Sequence, residues 1–170
     1  MDQKVKALLE KREYGHRFPP RDEVKRLKSE LNLKGALTSG AAVEQITETY
    51  LKSIEAILDE FVQDLIRNAS KLSVASEMEM VGLVNEAQQS LFKMADSCLS
   101  QDLQYGGDDY CQRARTILYE KFDTIFNHLK REITLSDLDW GRTTASVQVS
   151  GSQNVNILVG QVRGSVQQLI

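Results

Sequence analysis

Apolar residues recur every three or four positions through most of the chain, and this spacing predicts five α-helices. The longest predicted helix, residues 41–71, carries two adjacent apolar stripes, which is typical of a helix that contacts several neighbours in a bundle. The chain is therefore predicted to be mainly α, with this helix at its centre. The first stripe is Val43, Ile46, Tyr50, Ile54, Ile57, Phe61 and Leu65, and the second is Leu51, Leu58, Val62 and Ile66.

Four further helices are predicted from apolar spacing together with turn and cap residues. Residues 2–13 form the first, and Pro20 begins a second that stops at Gly35. A capping box from Ser76 to Glu79 opens the fourth, which ends near Leu103, although Ser73 could cap it one turn earlier. Residues Asp109 to Gln112 would open the fifth, which extends to Ile133. The fourth helix is expected to bury the stripe Met78, Val81, Val84, Ala87, Leu91, Met94 and Cys98.

Short connections make successive long helices antiparallel, so the three long helices are expected to form an up-down bundle with the first two helices packed against it. The turn that precedes the longest helix, residues 37–40, would supply its N-cap. Residues 1–135 are therefore predicted to be an antiparallel helical bundle.

The pattern changes after residue 135. Residues 136–142 are predicted to be a linker that contains Trp140, the only tryptophan, which we expect to pack against the bundle. From residue 143 to residue 170, apolar and polar residues alternate, glycines punctuate the sequence, acidic residues are absent and Arg163 is the only base. Alternation of this kind predicts short β-strands, although the same composition also suits a flexible Gly/Ser/Gln/Asn tail.

A β-segment of this size has open edges and little charge to block pairing, so its strands need a partner. The strands could lie on their own bundle, join a sheet in another protein, or pair with the same segment of a second copy. Pairing between copies is favoured, because one sequence then supplies both edges, and a dimer or a trimer would result. The predicted oligomer interface is Val147, Val149, Val155, Ile157, Val159, Val162 and Val166.

Residues 151–168, Gly-Ser-Gln-Asn-Val-Asn-Ile-Leu-Val-Gly-Gln-Val-Arg-Gly-Ser-Val-Gln-Gln, resemble the glycine-punctuated β tails of uncharacterised helical bacterial proteins. Some of those proteins are suspected of phage-defence or abortive-infection roles. The resemblance covers the tail alone and implies a bacterial defence-type effector as one alternative function. It implies no functional residue.

Charge is unevenly distributed. Residues 1–34 carry ten Lys/Arg and six Asp/Glu, whereas the whole chain has a net charge of −3. A basic region of this kind could bind nucleic acid or another acidic surface, but aromatic residues for base stacking are sparse there, which disfavours nucleic acid. The candidate residues for an acidic partner are Lys4, Lys6, Lys11, Arg12, Arg17, Arg21, Lys25, Arg26 and Lys28.

No local motif points to catalysis, a cofactor or a metal. His16 lies in a predicted loop, and His128 has Glu132 one helical turn away, a pair that is more typical of a surface contact than of a metal site. Cys98 and Cys111 lie in helical patterns and are expected to be reduced and half-buried. No segment is apolar enough to span a bilayer or act as a signal peptide, so we expect a cytoplasmic protein.

Three functions remain open from the sequence. The leading hypothesis is a non-enzymatic homo-oligomeric scaffold or adaptor, whose bundle is a recognition surface and whose tail assembles copies. The second is a binding module for nucleic acid or an acidic surface through the basic region, and the third is the defence-type effector. A site assembled from distant residues would leave no local motif, so catalysis also stays open.

Overall fold

The described part of the chain, residues 2–136 and residue 138 of a computed structural model, is mainly helical. The mainly α prediction is therefore confirmed for these residues, whereas the predicted strands of residues 143–170 and Trp140 lie outside them. The helices are α1 (Gln3–Gly15), α2 (Arg21–Leu33), α3 (Gly40–Asn68), α4 (Glu77–Asp102), α5 (Gly107–Glu120) and α6 (Phe122–Leu135), with a 3₁₀ turn at Gln104–Gly106.

Helix α3 is the centre of the core, because it contacts all five other helices. Every residue of its predicted first stripe is fully buried, and three of the four residues of the second stripe are buried. The exception, Ile66, is half-buried. A helix with a wide apolar face can be enclosed on several sides, and that is what its neighbours do here.

Contacts between side chains fix the direction of the helices. Asp96 of α4 pairs with Arg115 of α5, and Glu77 of α4 accepts a hydrogen bond from Thr134 of α6. The residue numbers of the partners therefore fall along α5 and α6 as they rise along α4. Glu44 of α3 pairs with Arg113 of α5, and a carboxylate oxygen of Asp59 on α3 lies 3.8 Å from Nε2 of His128 on α6. The residue numbers therefore rise together along α3 and along these two helices. The last two helices thus run antiparallel to α4 and parallel to α3.

Two helix starts agree with the cap chemistry in the sequence. Ser39 is the N-cap of α3 and accepts a hydrogen bond from the Ala42 amide, at 3.2 Å. Ser76 does the same for α4 through the amide of Glu79, also at 3.2 Å. The Glu79 carboxylate accepts from the amide of Ala75, one residue before the expected partner. Helix α2 begins at Arg21, so Pro20 is its N-cap and not its first residue.

The predicted capping box at Asp109 is wrong, because α5 already begins at Gly107. Gly107 has a φ of 72°, a conformation that glycine adopts without strain. A Cβ on Gly106 would lie 2.0 Å from the Tyr110 ring, so the ring occupies space that only glycine leaves. The glycine pair therefore lets the helix start earlier than the cap residues indicate, and Asp109 lies in its first turn.

The predicted fifth helix is interrupted. Helices α5 and α6 meet at Lys121, which is the C-cap of one and the N-cap of the other. Beside this point the buried amide of Gln88 donates a hydrogen bond to the backbone carbonyl of Phe122, at 2.7 Å. A side chain that reaches into a helical ladder is a known cause of local irregularity. The sequence pattern gave no sign of it, because Gln88 does not belong to the apolar stripe.

The predicted stripe of α4 is partly wrong. Met78 is 84% exposed and Met94 is 36% exposed, although both were expected in the core. Val84, Ala87 and Leu91 are buried as predicted, so the face that α4 buries overlaps the predicted stripe and is rotated from it toward Phe92. The residues that α4 buries are Met80, Val84, Ala87, Gln88, Leu91, Phe92, Ala95 and Leu99.

Candidate anion-binding site

Helix α2 has an apolar face and a cationic face. Val24 and Leu31 are buried against the bundle. Arg21, Lys25 and Lys28 follow one another at spacings of four and three residues, which places them on the same side of a helix. The local sequence therefore aligns three cations in a row, with one end of the row near the C-terminal end of α4.

These cations line a cavity of about 470 Å³ that is open to solvent. We call it the α2 site. It is lined on α2 by Arg21, Lys25, Lys28, Ser29 and Asn32, and from outside that helix by Leu37 and by Asp102 of α4.

Lys28 is held in place at the inner side of the α2 site. Its Nζ donates a hydrogen bond to the backbone carbonyl of Asp102 at 2.7 Å and lies 3.5 Å from the Asp102 carboxylate. It also lies 5.4 Å from the centre of the Tyr105 ring, over its face. Since Asp102 is the last residue of α4, a cation there also meets the negative end of the helix dipole.

The Asp102 carboxylate is engaged from the other side as well. It accepts a hydrogen bond from the fully buried Tyr50 hydroxyl, at 2.7 Å. Burial raises the pKa of Tyr50, and the hydrogen bond to Asp102 raises it further. Tyr50, Asp102 and Lys28 therefore link α3, α4 and α2 beneath the cavity.

Arg21 and Lys25 complete the site differently. Both are exposed, and neither charged side chain has a hydrogen bond or ion pair with any part of the chain that the structure describes. Three cations stand against one carboxylate, so the α2 site has a net charge of about +2 at neutral pH. A concave surface with two free cations is suited to an anionic group.

The Tyr50→Phe variant should be less stable than the parent by about 1–2 kcal/mol at pH 8, because Asp102 loses a donor. Folding raises the pKa of Tyr50 above its unfolded value of about 10, so its contribution to the free energy of unfolding is complete below about pH 10. Above that pH the unfolded chain loses the phenol proton more readily than the folded protein does, and the contribution falls. The difference between the two proteins should therefore shrink above about pH 10. Urea titrations at a series of pH values would measure it, and a constant difference up to pH 11 would contradict the raised pKa of Tyr50.

The chain matches no protein-family model, no curated protein and no solved structure. Its function is therefore inferred from the chemistry of its own residues.

The other predicted cations do not join the α2 site. Lys6 and Arg26 form exposed pairs with glutamates one turn away on their own helices. Lys4, Lys11 and Arg17 are exposed and lie outside the residues that line the cavity. Three of the nine predicted residues thus line the α2 site, and the other six lie outside its lining.

Arg12 has a structural role. Its guanidinium donates two hydrogen bonds to the buried Asp64 carboxylate, at 2.7 and 2.8 Å, and a third to Glu60. These carboxylates raise the pKa of Arg12, the hydrogen bond to Asp64 most strongly. A bidentate pair of this kind fixes α1 on α3 and leaves the guanidinium few free donors.

The two histidines belong to different helices, His16 as the C-cap of α1 and His128 within α6, and each lies beside a carboxylate of α3. His16 is 3.3 Å from Glu60, beside Arg12. His128, with Asp59 and Glu132, lines a cavity of about 270 Å³. Burial raises the pKa of Asp59 and Glu132 raises it further, while His128 lowers it. Within the described residues, no group of three or more His, Cys, Asp or Glu side chains has an arrangement that could hold a metal ion.

The cysteines are half-buried free thiols, as the sequence predicted. Cys111 donates a weak hydrogen bond from its thiol to the carbonyl of Ser100, at 3.7 Å, and so joins α5 to α4. Among the described helices, none combines the length and the apolar composition that crossing a membrane requires.

Sequence reasoning found the cations of the α2 site but missed its other members. Asp102, Ser29 and Asn32 are ordinary polar residues in helical patterns. The only available signal was the helical spacing that puts Arg21, Lys25, Lys28 and Asn32 on one side of α2.

Proposed function

We propose that this chain is a non-enzymatic adaptor, in which the α2 site recognises an acidic partner protein and residues 143–170 assemble copies into a homo-oligomer. The observation that carries the recognition role is the convergence of Arg21, Lys25 and Lys28 around one cavity. The assembly role is supported by the alternating pattern of the tail.

The surroundings of the cavity support a defined acidic group as its ligand. Lys28 is held by Asp102, so its position does not have to be fixed when a ligand binds. Arg21 and Lys25 have no partner among the described side chains to give up, so their charges are available without breaking an existing contact. Both features lower the free energy that binding an acidic side chain would require.

A fluorescent peptide of consecutive glutamates, compared with the same peptide of glutamines, would test recognition by anisotropy. The full-length chain should bind the glutamate peptide, and binding should weaken as salt is added. Replacing both free cations, Arg21→Gln with Lys25→Gln, should weaken binding by about tenfold, which corresponds to about 1.4 kcal/mol.

The matched control is Lys4→Gln with Lys11→Gln, which removes the same charge from exposed positions on α1. This pair should change the affinity by less than about twofold, because screened charges outside the site contribute little. Equal losses in the two double variants would mean that net charge alone attracts the peptide, and the α2 site would not be a recognition site.

Assembly is tested by the absolute mass of the full chain in solution, measured by light scattering. Introducing two lysines at predicted interface positions, Val155→Lys with Ile157→Lys, should convert a dimer or trimer to a monomer that keeps its helical circular dichroism. Burying unpaired charges between strands opposes pairing. The control is Asn154→Lys with Asn156→Lys, on the alternate face of the same predicted strand. A parent chain that is monomeric, or an unchanged mass of the first variant, would contradict this role.

A further inference from the structure

We infer that the α2 site binds the phosphate monoester of a phosphorylated side chain on the partner protein. The inference rests on the proposed function, because it names the acidic group that the same site recognises. Three features of the site lead to it: its net charge, the donors it offers, and the short length of its cationic row.

The net charge of the site matches a dianion. Lys28 and Asp102 lie together and largely compensate one another, which leaves Arg21 and Lys25 as two uncompensated cations. A phosphorylated serine or threonine carries a charge of about −1.5 to −2 at pH 7, whereas a glutamate carries one negative charge. A single carboxylate would therefore leave one cation of the site without a partner.

The free donors of the site also suit a phosphate. Arg21 offers a planar fork of N–H groups, which matches two phosphate oxygens, and Lys25 offers three donors from one ammonium. The Asn32 side-chain amide adds a neutral donor on the same side of the helix. The Ser29 hydroxyl donates to the Lys25 carbonyl at 3.0 Å, so its proton is used within α2. The remaining donors can serve the three terminal oxygens of a phosphate.

The short cationic row favours one compact dianion over an extended polyanion. The row from Arg21 to Lys28 spans only about 10 Å at the helical rise per residue. Asp22 is exposed next to Arg21, whereas Glu23 and Glu30 are exposed on the opposite side of α2, about 180° around the helix from the row. A nucleic acid or an anionic membrane would extend beyond this row, where the same side of α2 offers no further cation, whereas a phosphorylated side chain would not.

The test compares three forms of one peptide, with serine, phosphoserine or glutamate at its centre, by isothermal titration against the full-length chain. At about pH 7.5 the phosphoserine form should bind at least about tenfold more tightly than the glutamate form, since it can pair with both cations. Lowering the pH to about 5.5 should weaken phosphopeptide binding by about fourfold, because the second phosphate pKa is about 6. The glutamate form, whose pKa is about 4.3, controls for titration of the protein itself.

Variants locate the binding. Arg21→Gln with Lys25→Gln should abolish the advantage of the phosphoserine peptide, and Lys4→Gln with Lys11→Gln should retain it. Equal affinity for phosphoserine and glutamate, with no change between the two pH values, would overturn the phosphate inference and leave recognition of acidic proteins standing. Binding of neither peptide would overturn both.

Two further probes separate the sources of phosphate. Inorganic phosphate should compete with the phosphopeptide only weakly, because it lacks the peptide contacts. Vesicles containing phosphatidylserine and a single-stranded DNA oligonucleotide should not displace the peptide at physiological salt. If the vesicles or the oligonucleotide displace the bound peptide at a lower concentration than unlabelled phosphopeptide does, the inference would be overturned in favour of a membrane or a nucleic acid.

Discussion

Replacing Phe92 with alanine is expected to lower the free energy of unfolding by about 3–5 kcal/mol. Phe92 is 1% exposed and packs edge-to-face on Phe122, with ring centres 4.9 Å apart, and beside Tyr119 at 6.1 Å. The substitution would leave a cavity where α4 meets the last two helices. Urea denaturation followed by circular dichroism would measure the loss.

The matched control for Phe92→Ala is Met94→Ala, two residues away on the same helix. Met94 is 36% exposed, so its truncation should change stability by less than about 1 kcal/mol. The apolar stripe read from the sequence puts Met94 in the core and leaves Phe92 out of it. A larger loss for Met94→Ala than for Phe92→Ala would therefore support the sequence pattern and contradict the face that α4 buries in the structure.

Replacing Arg12 with glutamine is expected to destabilise the fold by about 2–3 kcal/mol. Breaking a fully buried ion pair typically has an effect of about 3–5 kcal/mol, and partial exposure of Arg12, at 24% of its side chain, reduces it. The physical reason is that Asp64, with 11% of its side chain exposed, would keep its charge without its main donor. Thermal and urea unfolding would measure the change.

Two comparisons isolate the Arg12 pair. Adding Asp64→Asn to Arg12→Gln removes the unpaired charge and should recover about 1 kcal/mol or more. Lys6→Gln, which breaks an exposed pair on the same helix, should change stability by less than about 0.5 kcal/mol. Near-equal stability of Arg12→Gln and Lys6→Gln would mean that the Arg12 pair contributes no more than a surface pair.

The helical part of the fold was largely predictable from local patterns. The stripe from Val43 to Leu65 identified the central helix, because apolar residues at every third or fourth position lie on one face of a helix and can be buried together. The turn at residues 37–40 and the capping box at Ser76 indicated the starts of α3 and α4, because cap chemistry acts within one turn, and the structure shows that Ser39 is the cap within that turn. Apolar spacing and helix caps depend only on residues within one or two helical turns, so both can be read from the sequence.

The errors in the prediction lie where local signals were ambiguous. Helix α4 has apolar residues on more than one face, so the pattern admitted the stripe with Met78 and Met94 as well as the one with Phe92. The start of α5 depends on Gly107 and on the ring of Tyr110, and the interruption at Lys121 lies beside a side chain of another helix. No pattern within a single segment contains this information.

For the candidate site, the sequence supplied the cations but not their grouping. Nine basic residues were candidates, and charge alone could not separate Arg21 and Lys25 from Arg12. Packing separates them: α1 is seated so that Arg12 meets Asp64, and α2 is seated so that Lys28 meets the end of α4.

The sequence by itself determined that the chain has a helical body with a central helix, a basic front and a tail of different composition, since each of these is a local property of composition or spacing. Tertiary structure alone decided which face of α4 is buried, which basic residues are neutralised, and that Arg21, Lys25 and Lys28 share a cavity with Asp102. These outcomes join residues that are about 30 to 80 positions apart, and only the packing of one helix on another brings such residues together.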